Sequence, residues 1–176
     1  MITWLHGAFG AGKSSVAAEL ARRRPDLVPY DPELVGYLLR QVLPVPSGDF
    51  QALPEWRELV VATGAALDAG GARSLVAPMT LLDRRYADEV STGLAARGVR
   101  VVHVLLDVDE DELRRRIADD AAEVGARDWR LDRVAAYAQA RGWLVPLADL
   151  VVDTTALTVA QGADQVLPTV SGVRPA

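Results

Sequence analysis

Gly7-Ala8-Phe9-Gly10-Ala11-Gly12-Lys13-Ser14 fits G-x-x-x-x-G-K-[ST], the pattern of a phosphate-binding P-loop. Its flanks supply the order that such a loop needs. Ile2-Thr3-Trp4-Leu5 before it is short, mostly apolar and β-prone, as a buried first strand should be. After it, Val16, Ala17, Leu20 and Ala21 fall on one helical face. The residue types follow from polyphosphate chemistry. Gly7, Gly10 and Gly12 let the backbone turn sharply and come close to a ligand. The amides of the loop, Ala8, Phe9 and Ala11 included, and the helix start at Ser14-Ser15 direct partial positive charge into the concavity. Lys13 bridges β- and γ-phosphates in such a loop, and Ser14 holds Mg²⁺. ATP and Mg²⁺ are therefore the expected cofactors.

Composition narrows the class. The 176 residues, 50% hydrophobic, suit one domain over residues 1–176 with a sizeable core. A formal charge of −5 argues against general nucleic-acid or anionic-membrane binding. There is no cysteine, which excludes disulfides, thiolate metal sites and cysteine nucleophiles. The chain enters its first strand directly and has no apolar run of transmembrane length, so the expected location is the cytoplasm, without a stable membrane anchor.

Pro25 closes the first helix near Arg22-Arg23-Arg24, three arginines that complement a helix C-terminus and read as a solvated basic end. Leu27-Val28-Pro29-Tyr30 reads as a second strand. Asp31 is an expected N-cap with Pro32 at N1, and Leu34, Val35, Leu38 and Leu39 an expected inner helical face. Asp31 either caps alone or, at the C-terminal edge of the sheet beside the P-loop, orients or deprotonates an acceptor hydroxyl and touches Mg²⁺. Residues 43–54, with three prolines and a glycine, read as a loop without a regular element. That loop, with Asp49, Phe50 and Gln51, is either a substrate lid or a rigid connector.

Glu55 to Ala69 reads as a helix with Trp56, Leu59, Val60, Thr63 and Leu67 inward and Arg57 beside that face. Arg73 to Met79 reads as a third strand, and Thr80 stands where a Walker B acid is absent. Asp83 to Arg97 is an expected helix, and Val99 to Leu106 a buried central strand in which His103, like His6, is assigned to packing. Asp109 and Glu112 have capping-box spacing at the start of a helix carrying Arg114, Arg115 and Arg116. Arg127, Arg130 and Arg133 follow on a polar segment. Arginines on a segment that closes over a P-loop suit phosphoryl transfer, because charge builds on the transferred oxygens. Asp149 to Asp153 is the last strand, residues 156–167 the last helix, and Pro168 to Ala176 a frayed end.

Five strands alternating with helices predict an α/β, three-layer P-loop NTPase fold. It has a five-stranded parallel sheet, helices on both faces and a small lid, in the manner of nucleoside and shikimate kinases. The chain also resembles the tunicamycin-resistance protein family. The matching pieces are Met1 through Lys13, Tyr30-Asp31-Pro32-Glu33 with Gly36 and Leu39-Arg40, Asp49-Phe50-Gln51 with Pro54, Trp56 and Arg57, and Ala77-Pro78-Met79-Thr80. Leu131-Asp132-Arg133 is a weaker match. The resemblance implies ATP binding and protection against tunicamycin, a uridine-containing nucleoside antibiotic. It also implies an acceptor pocket formed by Asp31, Arg40, Asp49, Phe50, Gln51, Trp56, Arg57, Met79 and Thr80. Lys13, Asp31, Arg116 and Arg127 are then the catalytic candidates, with Arg114 on the nucleotide. Three functions stay open: a kinase acting on tunicamycin or a related nucleoside-like small molecule, a protein that sequesters the drug without chemistry, and a metabolite kinase. A homo-oligomer is compatible with each. No Asn-Lys-x-Asp motif is present to support a regulatory GTPase.

Overall fold

The computed structural model describes residues 1–45, 49–71, 74–121 and 124–170. Strand and helix alternate through most of the chain: β1 (Ile2–Gly7), α1 (Lys13–Arg23), β2 (Leu27–Pro29), α2 (Glu33–Arg40), α3 (Pro54–Ala69), β3 (Ser74–Pro78) and α4 (Arg84–Ala96). Then come β4 (Val101–Asp107), α5 (Glu110–Asp119), α6 (Arg127–Leu147), β5 (Leu150–Asp153) and α7 (Val159–Val170). Single 3₁₀ turns at Phe50–Ala52 and Val124–Ala126 precede α3 and α6. The five strands form one sheet in the order β2-β3-β1-β4-β5. Every pairing is parallel, with Ile2 beside both Leu75 and Val101.

β1 therefore lies at the centre, and its side chains divide between two cores. Leu5 joins Val16, Leu20, Val104, Leu113 and Val166. Ile2 and Trp4 join Trp56, Val60, Leu75, Val90 and Leu94. Such a division by period two needs helices on both faces of the sheet, as the near-continuous apolar strands required. No helix among the described residues is long and apolar enough to cross a membrane.

Several local expectations need correction. Pro32, not Asp31, is the N-cap of α2, although Asp31 Oδ1 still accepts the Glu33 amide at 2.9 Å. The inner face of α2 is Gly36 and Leu39, while Leu34 and Leu38 are 64% and 59% exposed. The cause is Phe50: a Cβ on Gly36 would lie 2.5 Å from its ring, so only a glycine lets helix and ring meet there. The buried face of α3 is likewise rotated, to Trp56, Arg57, Val60, Val61 and Gly64, leaving Leu59 and Leu67 exposed. Gly64 lets α3 settle against Ile2, Tyr30 and Leu94. The 43–54 loop holds a 3₁₀ turn capped by Asp49, which accepts the Gln51 amide at 3.0 Å, and Pro54 opens α3. Asp109 caps α5 through the Asp111 amide, and Glu112 pairs with Arg115 and Arg116 instead of closing a capping box. α7 runs through Pro168 to Val170. Arg73, Pro46 to Gly48 and the end after Val170 lie outside the described residues.

Candidate nucleotide and acceptor cleft

The P-loop connects β1 to α1 at the C-terminal edge of the sheet. Gly7 has φ +146°, and a Cβ there would meet the Leu106 carbonyl at 2.6 Å. The loop can leave β1 beside β4 only because that Cβ is missing. Lys13, the first residue of α1, is buried and folds back over the loop, its Nζ donating to the Ala8 carbonyl at 2.7 Å. Burial pushes its ammonium down to about 8; Glu33 opposes that shift and Arg130 adds to it. The lysine is thus held against a loop carbonyl that a phosphate would replace as its partner. This arrangement fits a polyphosphate.

A cleft of about 1080 Å³ opens from the loop. Phe9, Gly10, Gly12, Lys13, Ser14 and Ser15 line its floor; Arg40, Asp49, Phe50, Gln51, Met79 and Thr80 line one wall; Arg115, Arg116, Trp129 and Arg130 line the other. The structure so brings together most of the residues expected from the sequence. Gly7, Ala8 and Ala11 of the loop do not line the cleft. Asp31, Trp56, Arg57, Arg114 and Arg127 do not line the cleft. Trp56 is fully buried with its indole N–H on the Pro32 carbonyl. Arg114 pairs outward with Glu110. Arg127 carries a buried Nε without a hydrogen-bond partner.

Behind the acceptor wall runs a chain of hydrogen bonds. Arg57, ion-paired with Glu89 and 4.3 Å over the Tyr86 ring, donates to the Gln51 carbonyl at 2.6 Å. The Gln51 side chain donates to the Thr80 carbonyl at 2.9 Å, and the Thr80 hydroxyl donates to the Gly7 carbonyl at 2.9 Å. Thr80, in the place where an acid was absent, is therefore a buried strut under the P-loop. Arg57 braces the same wall from the interior.

On the opposite side, Trp129 of α6 meets Phe9 of the loop edge-on, 4.7 Å between centroids, and Arg133 lies 5.1 Å over Trp129. Arg130 donates to Asp120 at 2.7 Å. Arg116 reaches across to the turn after β5, donating to the Thr154 carbonyl at 2.6 Å while pairing with Glu112. It lines the cleft and ties α5 to the turn after β5 at once.

Sequence reasoning left three acidic cleft residues unassigned, Asp119, Asp120 and Glu33, of which Glu33 stands nearest in sequence to Asp31. Glu33 lines the cleft, accepts the Tyr37 hydroxyl at 3.0 Å and is the carboxylate felt by Lys13. Its signal was its place two residues after Asp31 at the same sheet edge. His6 and His103 pair with each other, Nε2 to Nδ1 at 2.9 Å, and burial holds His6 down to about 3. Arg22, Arg23 and Arg24 are taken up by Glu19, Asp164 and Asp26. No group of three or more His, Cys, Asp or Glu able to hold a metal occurs among the described residues.

The model of the AAA domain family matches residues 2–141. The tunicamycin resistance protein of Deinococcus radiodurans superposes with a TM-score of 0.73 at 27% identity, covering 97% of this chain and 95% of that one. APS kinase of Mycobacterium tuberculosis gives 0.64 at 18% identity, with 95% of each chain covered. Shikimate kinase of Acinetobacter baumannii gives 0.63 at 16%, covering 96% of this chain and 91% of that one. The last two show the shared kinase-like P-loop fold. No curated protein matches by sequence. The resemblance seen in the sequence thus extends to the structure: the chain belongs to the AAA domain family and is similar, over nearly its whole described length, to a tunicamycin resistance protein.

Proposed function

We propose that this protein is an ATP-dependent phosphotransferase that phosphorylates a hydroxyl of a nucleoside-like small molecule, tunicamycin among them, within one domain spanning residues 1–176. The observation that carries the reading is a single cleft holding Lys13 of the P-loop, the Glu33 carboxylate and the arginines Arg116 and Arg130 together with an acceptor wall. The likeness to the Deinococcus protein supplies the acceptor class.

ATP would supply the transferred phosphoryl group, and Mg²⁺ would offset charge on its phosphates. Lys13 and the loop amides would hold those phosphates, and Ser14 would be the protein's ligand to Mg²⁺. Asp31 fixes the start of α2 through the Glu33 amide, so the carboxylate beside it faces the cleft. Glu33 takes the acceptor proton as the new oxygen–phosphorus bond forms and the bond to ADP breaks. Arg116 and Arg130 offset charge on the transferred oxygens. Arg40, Phe50 and Gln51 contact the acceptor.

The sequestering alternative is favoured by one observation: Thr80 stands where an acid would follow β3, and its hydroxyl proton is donated to the Gly7 carbonyl. Mass spectrometry of tunicamycin incubated with protein, Mg²⁺ and ATP separates the two. Gain of one phosphoryl group, absent with Lys13→Ala, supports transfer; unchanged drug mass with tight stoichiometric binding supports sequestration.

A further inference from the structure

Two arginine–aspartate pairs stand in the cleft wall formed by α5 and α6, and they differ in what they face. Arg115 pairs with Asp119 at 2.9 Å, both side chains being mostly exposed. Arg130 pairs with Asp120, Nη1 to Oδ2 at 2.7 Å, and these side chains are 11% and 30% exposed. Asp120 is the C-cap of α5, and Arg130 lies in the first turn of α6. The pair therefore joins the end of one helix to the start of the next. The other terminal nitrogen of Arg130 has a different neighbour: a Cβ at Gly10 of the P-loop would lie 3.5 Å from Nη2. A guanidinium is a rigid planar fork, so a partner that fixes one nitrogen fixes the aim of the other. With Nη1 on Asp120, Nη2 is held beside the loop. The charge of Arg130 reaches Lys13, whose ammonium it helps to push down. Two cations are thus gathered at the loop, and each has a carboxylate of its own, Glu33 for Lys13 and Asp120 for Arg130.

We propose that Asp120 is a positioning residue, which holds Arg130 against the P-loop so that the guanidinium meets the terminal phosphate of ATP already in place. This deepens the proposed function and rests on it for the nucleotide. An arginine held by nothing gives up its rotamer freedom when a phosphate arrives. Arg130 has given it up beforehand. The opposite role, a carboxylate that competes with phosphate and must be displaced, fits less well. Asp120 takes Nη1 while Nη2 is the nitrogen beside the loop, so carboxylate and phosphate need different donors of the fork. Asp120 also offsets the charge of a largely buried guanidinium, which would otherwise stand uncompensated near Lys13.

Calorimetric titration with Mg²⁺–AMPPNP and with Mg²⁺–ADP tests this, because only the first carries the terminal phosphate. Asp120→Ala should weaken AMPPNP binding about tenfold and leave ADP affinity unchanged. Arg130→Met should do the same, and the double variant should lose no more than either alone, since both changes remove one contact. Where the alanine variant does not fold, Asp120→Asn keeps the shape without the charge and should lose about threefold for AMPPNP alone. Equal losses for the two nucleotides, an unchanged preference in the variant that folds, or additive losses overturn the inference. Tighter AMPPNP binding overturns it too, and makes Asp120 a competitor of phosphate. If neither nucleotide binds the parent protein, the ATP reading fails separately, and tripolyphosphate decides. Binding that Asp120→Ala weakens about tenfold upholds the positioning role; unchanged affinity, or no binding, overturns it.

Discussion

Lys13 shows how a single buried charge sets two opposite pH responses. Its ordinary value is 10.5 and burial brings it to about 8. Above pH 8 the free protein must take up a proton to bind polyphosphate with a charged lysine. ATP affinity is therefore expected to fall, up to about tenfold per pH unit, when followed by calorimetry between pH 7 and 10. Between about 8 and 10.5 the unfolded chain holds that proton more strongly, so ligand-free stability should rise through the same window. Lys13→Met should flatten both curves. At Gly36 the governing term is space. Gly36→Ala drives a methyl into the Phe50 ring and should cost about 1–3 kcal/mol, read as a lower Tm and, because Phe50 lines the acceptor wall, as weaker acceptor binding. Neither effect was legible from composition. The glycine announced itself only as part of a motif, and its partner lies 14 residues away in a loop without periodicity.

Among the elements, the loop–strand–helix unit was fully legible, since the motif, the apolar strand and the helical face all agreed. The rotation of α2 and α3 was not. Periodicity counts apolar residues but does not weigh a glycine that permits contact, nor an arginine buried by partners distant in sequence. Arg57 is such a case, held by Glu89, Tyr86 and Gln51, and so is the strut from Thr80 to Gly7. Thr80→Val keeps the shape and deletes the hydrogen bond. It should lower stability by about 1 kcal/mol, or roughly 2–4 °C in Tm, and weaken ATP binding severalfold in the same calorimetric titration. The start of α6 is held to the P-loop by a different means. Trp129→Ala removes the ring contact with Phe9, about 1 kcal/mol. With α6 less firmly held to the P-loop, water should reach the γ-phosphate; ATP hydrolysis without acceptor should rise severalfold while Tm falls by only roughly 2–4 °C. Unchanged hydrolysis would mean that the rings do not govern that access.

At the scale of the whole molecule, the sheet order places β1 between two parallel neighbours, with the P-loop at its end and a separate core on either side. The alternation of strands and helices made the sheet predictable, whereas its order could not be read from local pattern, because pairing partners are set by packing between distant segments. That order has a mechanical consequence. Force applied at the N-terminus loads β1 along its own axis and must shear its ladders with β3 and β4 together. Force applied at the other end first peels α7 from α1 and then unzips β5, an edge strand bonded on one side only. The chain should therefore resist a pulling unfoldase far longer when gripped by its first residues than by its last, and optical-tweezer traces from the two ends should differ in peak force accordingly.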